Sequence, residues 1–168
     1  MNPSLNPGHP TYLGCDPGLG GALAVWRPAD DMLLVIDMPT HEIRGKRRID
    51  IYQLGREIRS WDAVGHITRV VVENVGAMPG QSPNGMFNFG FSAGALQGAI
   101  ACAELPMVLV VPQVWKKVYG IPGGRENKDV SRQKASMLFP KYASLWARKK
   151  DDGRAEAVLL AHYGAKLQ

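Results

Sequence analysis

Four acidic residues occupy places where chemistry could use them. Asp16 follows the apolar run Tyr12-Leu13-Gly14-Cys15 and opens the turn Asp16-Pro17-Gly18-Leu19-Gly20-Gly21. A carboxylate at a strand end beside such a turn suits a hard cation, because glycines let a ligand approach. An Asp there also serves simply as a turn former. Glu73 ends the β-branched run Val70-Val71-Val72. Burying an unpaired carboxylate costs several kcal/mol, so a positive group should face it unless the strand end is exposed. Asp152 and Glu156 are four apart in a helical pattern, hence on one face, where their repulsion would be relieved by a cation between them. Capping of the helix start by Asp151 and Asp152 accounts for those two residues and leaves Glu156 unexplained. With no His or Cys cluster beside them, these four acids suit Mg²⁺ or Mn²⁺ rather than zinc. Two such ions would activate water and stabilise the leaving oxygen in phosphodiester hydrolysis.

The cations are distributed to match. The chain carries a formal charge of +5, yet the segment 112–150 alone is +8, with ten Lys and Arg against Glu126 and Asp129. The rest of the chain is therefore net acidic, and the segment reads either as an arm for a polyanion or as a solubilising face.

These residues need elements to hold them. Three short apolar runs, at about 12–15, 22–26 and 32–38, read as strands joined by hairpins. Apolar residues at helical spacing predict a helix over 50–63, and a buried strand follows at 69–72. The stretch 76–90, with four Gly and two Pro, reads as a loop. An Ala-rich helix is expected over 92–104, then a strand at 107–111. Helices are expected at 112–119, 127–139 and 151–163. Strands alternating with helices in this order imply an α/β layer with a mixed sheet.

Length and composition agree with one domain: 168 residues, 45% hydrophobic, with residues 1–10 a flexible tail and 11–168 a single domain. No stretch approaches the roughly 18 apolar residues of a membrane span, and the first ten residues lack the apolar core of a signal peptide. Two cysteines, Cys15 and Cys102, make no disulfide framework. The expected setting is cytoplasmic, with no membrane partner.

Taken in order, Gly14-Cys15-Asp16-Pro17-Gly18, Val72-Glu73-Asn74, Pro112-Gln113-Val114-Trp115-Lys116-Lys117, Lys128-Asp129-Val130-Ser131 and Asp152-Gly153-Arg154-Ala155-Glu156-Ala157 resemble the RuvC-type Holliday junction resolvases, above all the short RuvC-like proteins of phages and prophages. The likeness spans roughly residues 11–165. It implies an RNase H-like fold with a mixed five-stranded sheet flanked by helices, a homodimer in a bacterial or phage-infected cell, and nicking of four-way DNA junctions with two Mg²⁺ or Mn²⁺ ions. By the same resemblance Asp16, Glu73, Asp152 and Glu156 hold metal, and Lys128 lies near the scissile phosphate. Lys116, Lys117, Arg125, Arg132 and Lys134 would bind DNA phosphates. In the loop after Glu73, Met78, Phe87 and Phe89 are candidates to probe the junction centre, or else anchors of that loop. One departure stands out: bacterial RuvC usually ends with two Asp three apart, whereas here an Asp and a Glu stand four apart, with Asp151 an alternative to Asp152. Competing readings are a different RNase H-like nuclease acting on flaps or RNA/DNA hybrids, an inert branched-DNA binder, and an actin-like ATPase, for which one phosphate-binding half is too little.

Overall fold

Alternation along the first strands determines what each side of the sheet can pack against. In the computed structural model, which describes residues 8–76, 80, 82–123 and 128–167 (Lys128 by its backbone), β1 spans Thr11–Cys15, β2 Ala22–Arg27 and β3 Met32–Asp37. A two-stranded hairpin follows, β4 (Thr40–Ile43) and β5 (Lys46–Ile49). Then come helix α1 (Ile51–Gly65), β6 (Ile67–Glu73), α2 (Pro83–Cys102), β7 (Met107–Val110), α3 (Pro112–Val118), α4 (Lys128–Leu138) and α5 (Asp152–Gly164). The main sheet has five strands in the order β3-β2-β1-β6-β7. The first three are antiparallel neighbours, while β6 runs parallel to β1 and β7 parallel to β6. The expected mixed five-stranded α/β sheet is therefore present.

Leu13, Cys15, Leu23, Val25, Val70 and Val72 point to one face and pack with Leu54 and Ile58 of α1 and Leu96 and Ile100 of α2. Ala22, Ala24, Leu33 and Val71 point to the other and pack with Trp115 and Tyr119 at α3, Ala135 of α4, and α5. That second face is built of small residues at its centre. A Cβ on Gly14 would lie 2.0 Å from the Ala157 carbonyl oxygen and 2.3 Å from the Ala161 nitrogen, so only glycine lets α5 lie this close to β1. Gly153, Ala157, Ala161 and Gly164 form the matching seam on α5.

Register brings the strand ends to one edge. Cys15 pairs with Leu23 and Val72, Leu23 with Ile36, and Glu73 with Val110. Asp16, Glu73, the start of α3 and the start of the hairpin thus share the same edge of the sheet.

Two expectations change. The stretch 76–90 is helical from Pro83 onward: Ser82 caps α2 by accepting a hydrogen bond from the Gly85 N–H (3.1 Å), and Pro83 stands at the first turn, where it has no N–H to waste. The hairpin β4–β5 lies in the stretch before α1 for which the sequence predicts no element. Met78 and Arg125, and the side chain of Lys128, lie outside the described residues.

Candidate active site

Asp16 leaves β1 at the middle of the sheet edge. Its turn is closed by the Asp16 N–H donating to the Ala22 carbonyl (3.0 Å) and the Gly21 N–H to Gly18 (2.9 Å). The Gly18 N–H donates to Asp16 Oδ1 (3.2 Å). Glycines form the walls. A Cβ on Gly21 would lie 2.8 Å from the Asp16 Cγ, and one on Gly153 would lie 3.1 Å from Oδ2 and 2.7 Å from the Gly20 carbonyl. The residue as a whole is half-buried, but its carboxyl group is surrounded by protein. Burial foremost, then the charges of Glu73 and Glu156 and, more weakly, Asp152, push its pKa up to about 7; the Gly18 N–H opposes them.

The other acids converge from separate elements. Glu73, buried at the end of β6, accepts a hydrogen bond on Oε1 from the Trp115 indole N–H (3.0 Å). Glu156, buried on α5, accepts on a single oxygen, Oε1, both from the Lys116 ammonium (2.8 Å) and from the Ser131 hydroxyl (2.9 Å). Lys116 also lies 5.2 Å from the centroid of the Trp115 ring. Thus α3 and α4 each send a donor to the acid cluster, and Lys128 stands one turn before Ser131 at the start of α4.

The neighbouring aspartates divide in role. Asp151 is committed to Arg148, accepting from its Nε (2.9 Å), a terminal nitrogen (2.8 Å) and its backbone N–H (3.1 Å). That guanidinium holds the Asp151 carboxyl below the usual carboxylate range. Asp152 is the one whose charge reaches Asp16. Two positions further on, Arg154 grips Asp37 at the end of β3 with two bonds (2.6 and 2.7 Å), fastening the first turn of α5 to the same sheet edge.

Among the described residues, no three His, Cys, Asp or Glu side chains are already gathered as a metal-ligand group. The chemistry of the donors nonetheless fits a hard divalent ion: carboxylate oxygens alone, one of them in a glycine cradle and raised in pKa by burial and by the neighbouring carboxylates.

The residues expected to bind DNA separate on inspection. Lys117 is exposed and Lys134 half-buried on α4. Lys116 belongs to the acid cluster. Arg132 donates to Asp129 (2.6 Å) and to the Ala147 carbonyl (3.0 Å), bracing α4 against the segment that follows it. Phe87 is 71% exposed, whereas Phe89 is half-buried. A spacing of two puts residues on the same side of an extended chain but on different sides of a helix, so the neighbour that shares Phe87's face is Phe91. Both line an apolar cavity of about 410 Å³ with Ile43, Arg48 and Tyr52, between the hairpin and the helices α1 and α2.

Sequence reasoning missed Trp115 and Ser131 as partners of the acids, and the glycines around Asp16. The indole sits directly before Lys116 in a motif read for its lysines. The seam Gly153, Ala157, Ala161 repeating every four residues was the signal for close helix–strand contact.

A five-stranded mixed sheet with acids at the ends of β1 and β6 and on the last helix defines an α/β protein of the RuvC and RNase H-like architecture. No protein-family model matches the chain, and no curated protein matches it. Among solved structures it is similar to Thermus thermophilus RuvC in complex with a Holliday junction substrate, at TM-score 0.61 and 16% identity, covering 94% of this chain and 96% of that one. A second Thermus thermophilus RuvC structure matches at TM-score 0.54 and 16% identity, covering 93% of this chain and 96% of that chain. The yeast mitochondrial Holliday junction resolvase Ydc2 matches at TM-score 0.51 and 14% identity, covering 93% of this chain and 78% of that one. The fold is RuvC-like.

Proposed function

We propose that this chain is a structure-selective endonuclease that resolves four-way DNA junctions by divalent-metal-dependent hydrolysis of phosphodiester bonds. The observation that carries the reading is Asp16, held in a glycine cradle with a raised pKa and within electrostatic reach of Glu73, Glu156 and Asp152 from two other elements. A fold stabilised only by burial gains nothing from bringing four carboxylates together.

In this reading the four acids hold Mg²⁺ or Mn²⁺, which when bound supplies an activated water and stabilises the departing oxygen. The chain's own groups do the rest. Asp16 loses its proton as positive charge arrives. The Trp115 indole fixes one oxygen of Glu73, and Ser131 fixes one of Glu156, so the carboxylates are aimed before substrate binds. Lys116 balances Glu156 and, with Lys128, supplies positive charge against the pentavalent phosphate of an in-line attack. Lys117 and Lys134 hold flanking phosphates.

Paired nicks require two such sites, and a homodimer would supply them. The outer side of α2 is free to serve: Ser92, Leu96 and Ile100 face the chain's own sheet, while Gly90, Gly94 and Gly98 have open space where a Cβ would stand. The expected results are a mass of two chains in solution and symmetric, metal-dependent nicks across the branch of a synthetic four-way junction. Cleavage unchanged in Asp16→Asn, or no cleavage with either ion, refutes the reading. Cleavage of flaps or RNA/DNA hybrids in preference to junctions would keep the chemistry and change the substrate.

A further inference from the structure

The hairpin β4–β5 carries the molecule's other concentration of positive charge. Arg44, Lys46, Arg47 and Arg48 are four cations in five positions, outside the basic segment that follows β7. The chain makes the reversal in two residues, Arg44 and Gly45, with Ile43 paired to Lys46 on either side. Both turn residues have positive φ, +50° and +71°. Such turns favour Asn or Gly at the first position, so an exposed arginine is held there in a conformation its side chain disfavours. Nothing in the packing requires it: Arg44 and Lys46 are both exposed.

Attachment gives the hairpin a direction. Alternation sends Arg47 and Ile49 to one side and Lys46 and Arg48 to the other. Ile49 is buried, and the Arg47 guanidinium donates to the Leu19 carbonyl, in the turn that carries Asp16. On the other side Arg48 donates to Asn88 of α2. The hairpin is thus fastened at its base to the Asp16 turn and to α2, with its tip left in solvent.

Topology then sets its position relative to the acids. The hairpin departs from the end of β3, at one margin of the sheet, and α3 departs from the end of β7, at the opposite margin. Asp16 and Glu73 lie between them on β1 and β6. A polyanion crossing the acid cluster therefore meets cations on both sides.

We infer that the β4–β5 hairpin is a second DNA-binding element, in which Arg44 and Lys46 contact backbone phosphates on the side of the acid cluster opposite α3 and α4, while Arg47 orients the hairpin against the Asp16 turn. This rests on the nuclease reading above, and it adds a binding surface that the four acids and the α3–α4 cations do not include. The geometry also explains how a chain with a net acidic remainder can present positive charge on both flanks of its acids.

The test is binding of a synthetic four-way junction in EDTA, followed by fluorescence anisotropy over a range of salt, for wild type, the double variant Arg44→Gln/Lys46→Gln, Lys46→Gln alone and Lys117→Gln. Each phosphate contact contributes about 0.9 to the slope of log affinity against log salt, so the double variant should flatten that slope by about 2 and Lys46→Gln alone by about 1. Affinity of the double variant near physiological salt should fall about tenfold. Lys46→Gln lies outside the turn and keeps the test valid if the double variant has a lowered Tm. Slopes equal to wild type in both hairpin variants, with Lys117→Gln flattened, overturn the hairpin inference and leave junction binding standing. A wild-type chain without salt-dependent junction binding overturns both.

Discussion

The two faces of the central sheet use glycine in opposite ways. On the α5 face, Gly14 and Gly153 are closed in by backbone, with the position of an added Cβ 2.0 Å from Ala157 O and 2.7 Å from Gly20 O respectively. On the α1–α2 side, Gly90, Gly94 and Gly98 meet nothing within 4 Å. The first set creates proximity: it lowers a helix onto a strand until the Glu156 carboxylate, 140 residues along the sequence, comes within electrostatic reach of Asp16. The second leaves a shallow surface beside exposed Tyr52, Phe87 and Phe91. Glycine count alone distinguishes neither; what the missing side chain would touch does.

The sharpest way to break the contrast is at the acids themselves. Asp16→Asn should lower junction cleavage at least about a thousandfold while the fold is kept, as measured by single-turnover nicking and by circular dichroism. Substituting the glycines separates the faces next. Gly14→Ala forces a methyl group against the α5 backbone and should destabilise the chain by about 3 kcal/mol or more in a urea titration. An unchanged midpoint would mean that α5 does not lie on β1 as described.

Acidity separates the site from its surroundings on a comparable scale. Asp16 holds its proton more tightly folded than unfolded, so its contribution favours the folded state at low pH and is lost as pH rises from about 4 to about 7. Relative to Asp16→Asn, metal-free wild type should lose roughly 3 kcal/mol of stability across that window. His162, further along α5, works in the other direction. Burial lowers its pKa to about 4, and its Nδ1 pairs with the Tyr119 hydroxyl at 2.8 Å, so it withdraws stability as pH falls below its ordinary value near 6.5. Opposing slopes should leave the wild-type profile flat between pH 4 and 6.5, and Asp16→Asn should expose the His162 slope. Denaturant titrations of both proteins at several pH values measure this.

Smaller effects refine the comparison. Trp115→Phe removes the indole donor from Glu73 and should cost about 2 kcal/mol, with a loss of cleavage larger than the loss of junction affinity. Gly94→Ala, in open space on α2, should raise the stability of the isolated chain by less than about 1 kcal/mol. If it instead lowers the mass in solution from two chains to one, the surface is an interface.

Much of this arrangement was readable from residues. Short apolar runs around Leu13 and Val70 located the strands, and the spacing of Asp152 and Glu156 located two acids on one helical face. The hairpin escaped because Thr-His-Glu-Ile and Lys-Arg-Arg-Ile contain almost no apolar alternation; their pairing is set by a two-residue turn and by the burial of Ile49. The start of α2 escaped because its Gly and Pro content outweighed the Ser82–Pro83 capping signal. Partners such as Trp115 for Glu73 and Ser131 for Glu156 depend on contacts across 42 and 25 residues, which spacing along the chain does not encode.

The seating of α5 on Gly14 also bears on synthesis. Asp16 and Glu73 are made early, Asp152 and Glu156 more than a hundred residues after Asp16. A nascent chain on the ribosome can pair β1 with β2 and β3, yet it cannot complete the acid cluster until α5 has emerged. On the nuclease reading proposed above, the chain stays chemically silent until α5 has emerged, and a fragment that ends before Asp152 is inactive.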